Sequence, residues 1–69
     1  MNEQQGKQLL EQTRIIAIVR GVAEQHILGV AEALLEGGIP VMEVTLNTPG
    51  APAMIAKLRE RFGERMYIG

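Results

Sequence analysis

The sequence predicts an α/β fold with a parallel sheet, in the order α–β–α–β–α–β, and three observations carry that prediction. Three apolar runs, IIAIV (15–19), IPVMEVT (39–45) and MYIG (66–69), have strand length and carry β-branched residues. The stretches between them space their apolar residues at i, i+3 and i+4, as a helix with one buried stripe does. The strand starts, near 15, 39 and 66, recur about every 25 residues, the repeat of a strand plus a crossover helix.

Taken in order, EQQGKQLLEQ (3–12) reads as a short polar helix whose apolar content is mainly Leu9 and Leu10. Its Gly6 works against the helix, because glycine is a poor helix former. IIAIV is uninterrupted by polar residues and bounded by Arg14 and by Arg20-Gly21, which predicts a strand buried on both faces. Residues 23–36 place Ile27, Leu28, Ala31, Leu34 and Leu35 on one helical stripe, and Gly37-Gly38 ends that helix by taking the left-handed conformation cheaply. Pro40 has no N–H, so it belongs near the start of the second strand. Thr48 is expected to cap the third helix and Pro49 to occupy its first position, where a missing donor costs nothing. That helix runs to about Phe62 with Ala51, Met54, Ile55, Leu58 and Phe62 on one face, and Gly63 closes it.

Short strands joined by amphipathic helices pair in parallel under a layer of helices. Eight units of this length would total roughly 200 residues, the lower end for a (β/α)₈ barrel. Residues 1–69 are therefore expected to form a single incomplete domain, the N-terminal part of such a barrel. Three strands alone leave two apolar edges that invite pairing with another chain. The alternative is a non-catalytic α/β module that oligomerises through those edges.

Composition excludes several functions. Seven basic and 8 acidic residues give a net charge of -1, dispersed along the chain, with no footprint for nucleic acid or anionic membrane. Aromatic residues make up 3 %, too few for base-stacking platforms. No apolar run approaches the roughly 20 residues that span a bilayer. The polar start MNEQQGKQLLEQ lacks a signal core and the chain has no Cys, so a cytoplasmic location is expected. With no Ser, Asp, Cys or Trp and one His, the nucleophilic triads and a clustered metal site are ruled out. Neither metal nor cofactor is expected.

Chemistry then falls on a few residues. Strand alternation puts Val41, Glu43 and Thr45 on one face and Met42, Val44 and Leu46 on the other. A Glu43 buried in an apolar layer would resist ionisation, which raises a carboxyl pKa and suits it to proton transfer near neutral pH. The alternative is a structural carboxylate, paired with an arginine or lying on a solvated sheet face. Arg20 ends the first strand and Gly21 follows it, at the strand end where α/β folds bind ligands. A guanidinium there can grip a carboxylate or phosphate bidentately, or else point into solvent or pair with Glu43. Asn47 and Thr48 share that rim and are candidates with Arg20 for substrate binding, helix capping being the alternative for Thr48. His26 lies off the apolar stripe of its helix, Lys7 and Lys57 sit on helices, and RERFGER (59–65) reads as a polar helix end.

With IIAIVRG, EGGIPVMEVTLNTPGA and the terminal YIG in register, residues 8–69 resemble the N-terminal third of the 2-keto-3-deoxy-6-phosphogluconate / 4-hydroxy-2-oxoglutarate (KDPG/KHG) aldolase family. The resemblance implies a (β/α)₈ barrel, commonly a homotrimer, with no cofactor. It implies a class I aldol cleavage in which a lysine forms a Schiff base with a 2-keto acid, releasing pyruvate and an aldehyde. Glu43 matches the family's proton-shuttling glutamate, and Arg20 matches an arginine that contacts the substrate carboxylate or other polar groups. Thr45 and Thr48 match commonly similar positions, and Asn47 stands where some members carry an arginine that binds the pyruvate carboxylate. Asn47 with Arg20 looks like the phosphogalactonate-cleaving branch, whereas TPGA is similar to gluconate-type members. The family's lysine belongs to a later strand, and residues 1–69 by themselves are expected to be inactive.

Overall fold

The computed structural model describes residues 1–69. The observed order is α1 (Glu3–Thr13), β1 (Ala17–Val19), α2 (Glu24–Glu36), β2 (Val41–Val44), α3 (Ala51–Phe62) and β3 (Tyr67–Ile68). The strands form one parallel sheet in the order β1-β2-β3, with Ala17 beside Met42, Ile18 beside Glu43, Val19 beside Val44 and Met42 beside Ile68. The predicted α/β class and its parallel pairing are therefore observed. No helix is long and apolar enough to cross a membrane.

Helices α2 and α3 lie together on one face of the sheet. Ile27 and Ala31 of α2 and Met54, Leu58 and Phe62 of α3 bury against Val19, Met42, Val44 and Ile68. These are the helical stripes that the spacing indicates and, with Met42 and Val44, the strand face; Leu46, expected on that face, lies past the end of β2 and is 78 % exposed. Gly38, at φ +85°, ends α2 with two bonds, Gly38 N–H to Leu35 C=O (3.1 Å) and Ile39 N–H to Leu34 C=O (2.8 Å). This is the Schellman closure that a left-handed glycine permits.

The opposite face is only partly covered, which corrects the expectation that the strands are buried on both sides. Helix α1 crosses the sheet over the start of β2 and β3 and leaves the rest open. Ile18 is 66 % exposed and Glu43 is exposed beside it. An uninterrupted apolar run is the same sequence signal whether one face or two will be covered. Strand β1 is also shorter than IIAIV: Ile15 and Ile16 precede it and are exposed. Across from it the ladder starts only after Pro40, which cannot donate a sheet hydrogen bond.

Helix α1 is fastened at its N-terminus and against the sheet. The Asn2 side chain accepts from the Gln5 N–H (2.8 Å) while the Gln5 side chain accepts from the Asn2 N–H (3.0 Å), a reciprocal capping box. Within the helix, Gly6 is buried against Tyr67 of β3, so a Cβ there would lie 2.2 Å from the ring. The glycine that weakens this helix locally is what lets it approach the sheet.

Candidate active site

The C-terminal ends of β1 and β2 make a rim. Past the Val19–Val44 pair, Thr45 N–H donates to Val19 C=O (3.1 Å), which carries the ladder one step further before both chains turn away. Arg20 is exposed at the end of β1, and Gly21 turns the chain at φ +70°. After β2, Asn47 is exposed at the same rim.

Thr48 does not cap α3, contrary to the expectation from its spacing. The helix begins at Ala51, with Gly50 at φ +78° as its N-cap and Pro52, rather than Pro49, in its first turn. Thr48 is instead 4 % exposed, and its Oγ1 accepts from Gly21 N–H (3.0 Å) across the rim. The same oxygen shares a 2.8 Å hydrogen bond with the Thr45 hydroxyl. A glycine at the cap position takes the left-handed turn that a threonine would resist, and this frees Thr48 for the loop-to-loop contact.

Glu43 projects from the middle of β2 on the open face, in register with Ile18. It lines a hollow of ≈ 340 Å³ with Leu10, Ile16, Leu46 and Tyr67. The apolar burial expected for Glu43 is absent, because no element covers this part of the sheet. Nor does an arginine pair with it: the ion pairs of the fold are Lys7–Glu3 and Lys57–Glu24, both 3.6 Å and both at exposed helix positions. Glu43 is thus a carboxylate without an ion pair in a mostly apolar hollow. Two strand steps of about 3.3 Å and one strand spacing of about 4.8 Å put the Arg20 and Glu43 backbones roughly 8 Å apart. Arg20, Asn47 and Thr48 border the rim beyond the hollow and do not line it. A second hollow, ≈ 380 Å³, lies by Met1, Glu3 and Gly63 and touches none of the four candidates.

Arg59 is a neighbour that reading the sequence missed. Read as part of a polar helix end, it reaches from α3 to the Glu43 hollow and donates from Nε to the Ile68 carbonyl (2.9 Å). Nothing in the local pattern of RERFGER separates this arginine from Arg61 and Arg65, because its partner arrives only with the third strand.

The chain matches the model of the aldolase family described as KDPG and KHG aldolase over residues 7–69. The chain belongs to the KDPG and KHG aldolase family. No curated protein and no solved structure matches it. The match takes in α1 from Lys7 onward, α2, α3, the three strands and all four candidate residues, Arg20, Glu43, Asn47 and Thr48, so at family level this is an aldolase domain. Both lysines of this aldolase-family chain sit on helices in exposed ion pairs, and neither lines the Glu43 hollow.

Proposed function

We propose that this chain forms the acid/base and anion-binding part of a class I aldolase that cleaves a 2-keto-3-deoxy-6-phospho sugar acid or 4-hydroxy-2-oxoglutarate to pyruvate and an aldehyde. The observation that carries the reading is the unpaired Glu43 carboxylate on the open sheet face of a chain whose family match spans residues 7–69. A carboxylate free of an ion pair can exchange protons with a reacting group within hydrogen-bond reach. In the proposed role Glu43 passes protons on and off the carbinolamine hydroxyl and the enamine carbon. Arg20 and Asn47, exposed at the strand ends, face the substrate carboxylate, where a guanidinium binds bidentately.

In this reading further strands close a (β/α)₈ barrel, cover Ile18 and the two open sheet edges, and bring the Schiff-base lysine opposite Glu43. The assembled enzyme is a homotrimer that needs no cofactor. Residues 1–69 alone have no aldolase activity. Borohydride reduction in the presence of pyruvate checks this: no covalent adduct is expected on residues 1–69, and an adduct on Lys7 or Lys57 would refute the assignment.

One observation favours a second reading. Both β1 and β3 end the sheet with unpaired edges, and Ile15, Ile16 and Ile18, in or next to β1, are exposed. An α/β module that oligomerises through these edges would bury them. Light scattering on residues 1–69 discriminates: a discrete, well-folded oligomer supports the module, and an aggregating or molten chain supports the open barrel segment.

A further inference from the structure

We infer that Thr48 is a positioning residue that holds Arg20 in place by clamping the Arg20–Gly21 peptide. Three observations carry the inference. Thr48 is 4 % exposed, so its hydroxyl is withdrawn from the rim surface and does not itself reach a ligand there. Its Oγ1 accepts from Gly21 N–H (3.0 Å), the amide that immediately follows Arg20, in a hydrogen bond that joins the two rim loops across 27 residues of sequence. The same oxygen is hydrogen-bonded to the hydroxyl of Thr45 (2.8 Å), the residue that directly follows Glu43's strand, and Thr45 N–H donates to Val19 C=O (3.1 Å). The turn that carries Arg20 is thereby tied to the strand that carries Glu43.

The tie supplies what Gly21 lacks. A glycine at φ +70° has wide conformational freedom and, with open space around its Cα, no packing to restrain it. One hydrogen bond from a buried, β-branched side chain with restricted χ1 restores the restraint. A change in that bond moves Arg20 without touching the sheet.

The kinetic consequence rests on the aldolase reading; the clamp does not. Thr48→Val keeps shape and volume and removes the hydroxyl, while Thr48→Ser keeps the hydroxyl. Gly21 is exposed, so water can satisfy its N–H and the valine variant should fold, which circular dichroism checks. Amide hydrogen exchange at Gly21 is expected to quicken about tenfold or more in T48V and to stay near the unsubstituted rate in T48S. In the whole aldolase carrying residues 1–69, T48V is expected to raise KM for the 2-keto acid about tenfold with kcat little changed, and T48S to restore it. In an Arg20→Ala background T48V should add nothing further, because the two residues act as one unit. Unchanged Gly21 exchange in T48V, an unchanged KM, or a full additional loss in the R20A background would each overturn the inference. If the unsubstituted whole enzyme shows no turnover of any such acid, the aldolase reading falls and the Gly21 exchange rate alone decides the clamp.

Discussion

Replacing Gly6 by alanine should destabilise the fold, although alanine is the better helix former. In an exposed helix interior the exchange stabilises by about 1 kcal/mol, since glycine forfeits more backbone freedom. Here the new Cβ would stand 2.2, 2.4 and 2.4 Å from three atoms of the Tyr67 ring. Carbon atoms pack comfortably at about 3.5–4.0 Å, so helix and ring must separate by more than about 1 Å. Overpacking of this kind costs about 1–3 kcal/mol, and the size of the required shift points to the upper end. The net expectation is a loss of about 2 kcal/mol, read as a lower urea midpoint at constant slope. A Tyr67→Ala background isolates the cause. With the ring gone, Gly6→Ala should turn stabilising by up to about 1 kcal/mol. An alanine variant at least as stable as the parent, or a loss that persists without the ring, would refute close approach as the reason for this glycine.

Asn2→Ala removes the side-chain half of the α1 capping box and should cost about 1 kcal/mol, measured as reduced helical signal and thermal stability. Gly38→Ala forces a side chain into φ +85° at the end of α2 and should cost about 1–2 kcal/mol by urea denaturation, with space around it giving no relief. On the proposed aldolase reading, Glu43→Gln in an enzyme that carries residues 1–69 should depress turnover by roughly two to four orders of magnitude, as loss of an acid/base group does. Near-normal turnover in a steady-state assay would leave Glu43 a structural residue.

Much of the local architecture is legible in the sequence because its causes are local. The period of the apolar residues picks out the faces of α2 and α3, and Gly37-Gly38 marks the end of α2 through a conformation that only glycine takes cheaply. Strand alternation separates Glu43 and Thr45 from Met42 and Val44, and in the fold Met42 and Val44 are indeed buried under the helices while Glu43 is exposed. The candidate residues could be chosen on the same basis, since a strand-end Arg-Gly and a lone acid within an apolar run are both local signals.

What only the tertiary structure decides depends on elements far apart in the chain. Alternation says that β2 has two faces, but α2 and α3 cover one, and α1 covers only part of the other. Thr48 satisfies every local condition for a helix cap and is instead spent on Gly21, 27 residues away, because Gly50 takes the cap position. Gly6 looks like a flaw in α1 until β3 brings Tyr67 against it, and Arg59 looks like surface charge until β3 brings the Ile68 carbonyl. Backbone propensity and side-chain period act over a few residues and can be read from the chain itself. Coverage of a face, close approach and the partner of a buried hydroxyl arise when distant segments meet, and folding alone assigns them.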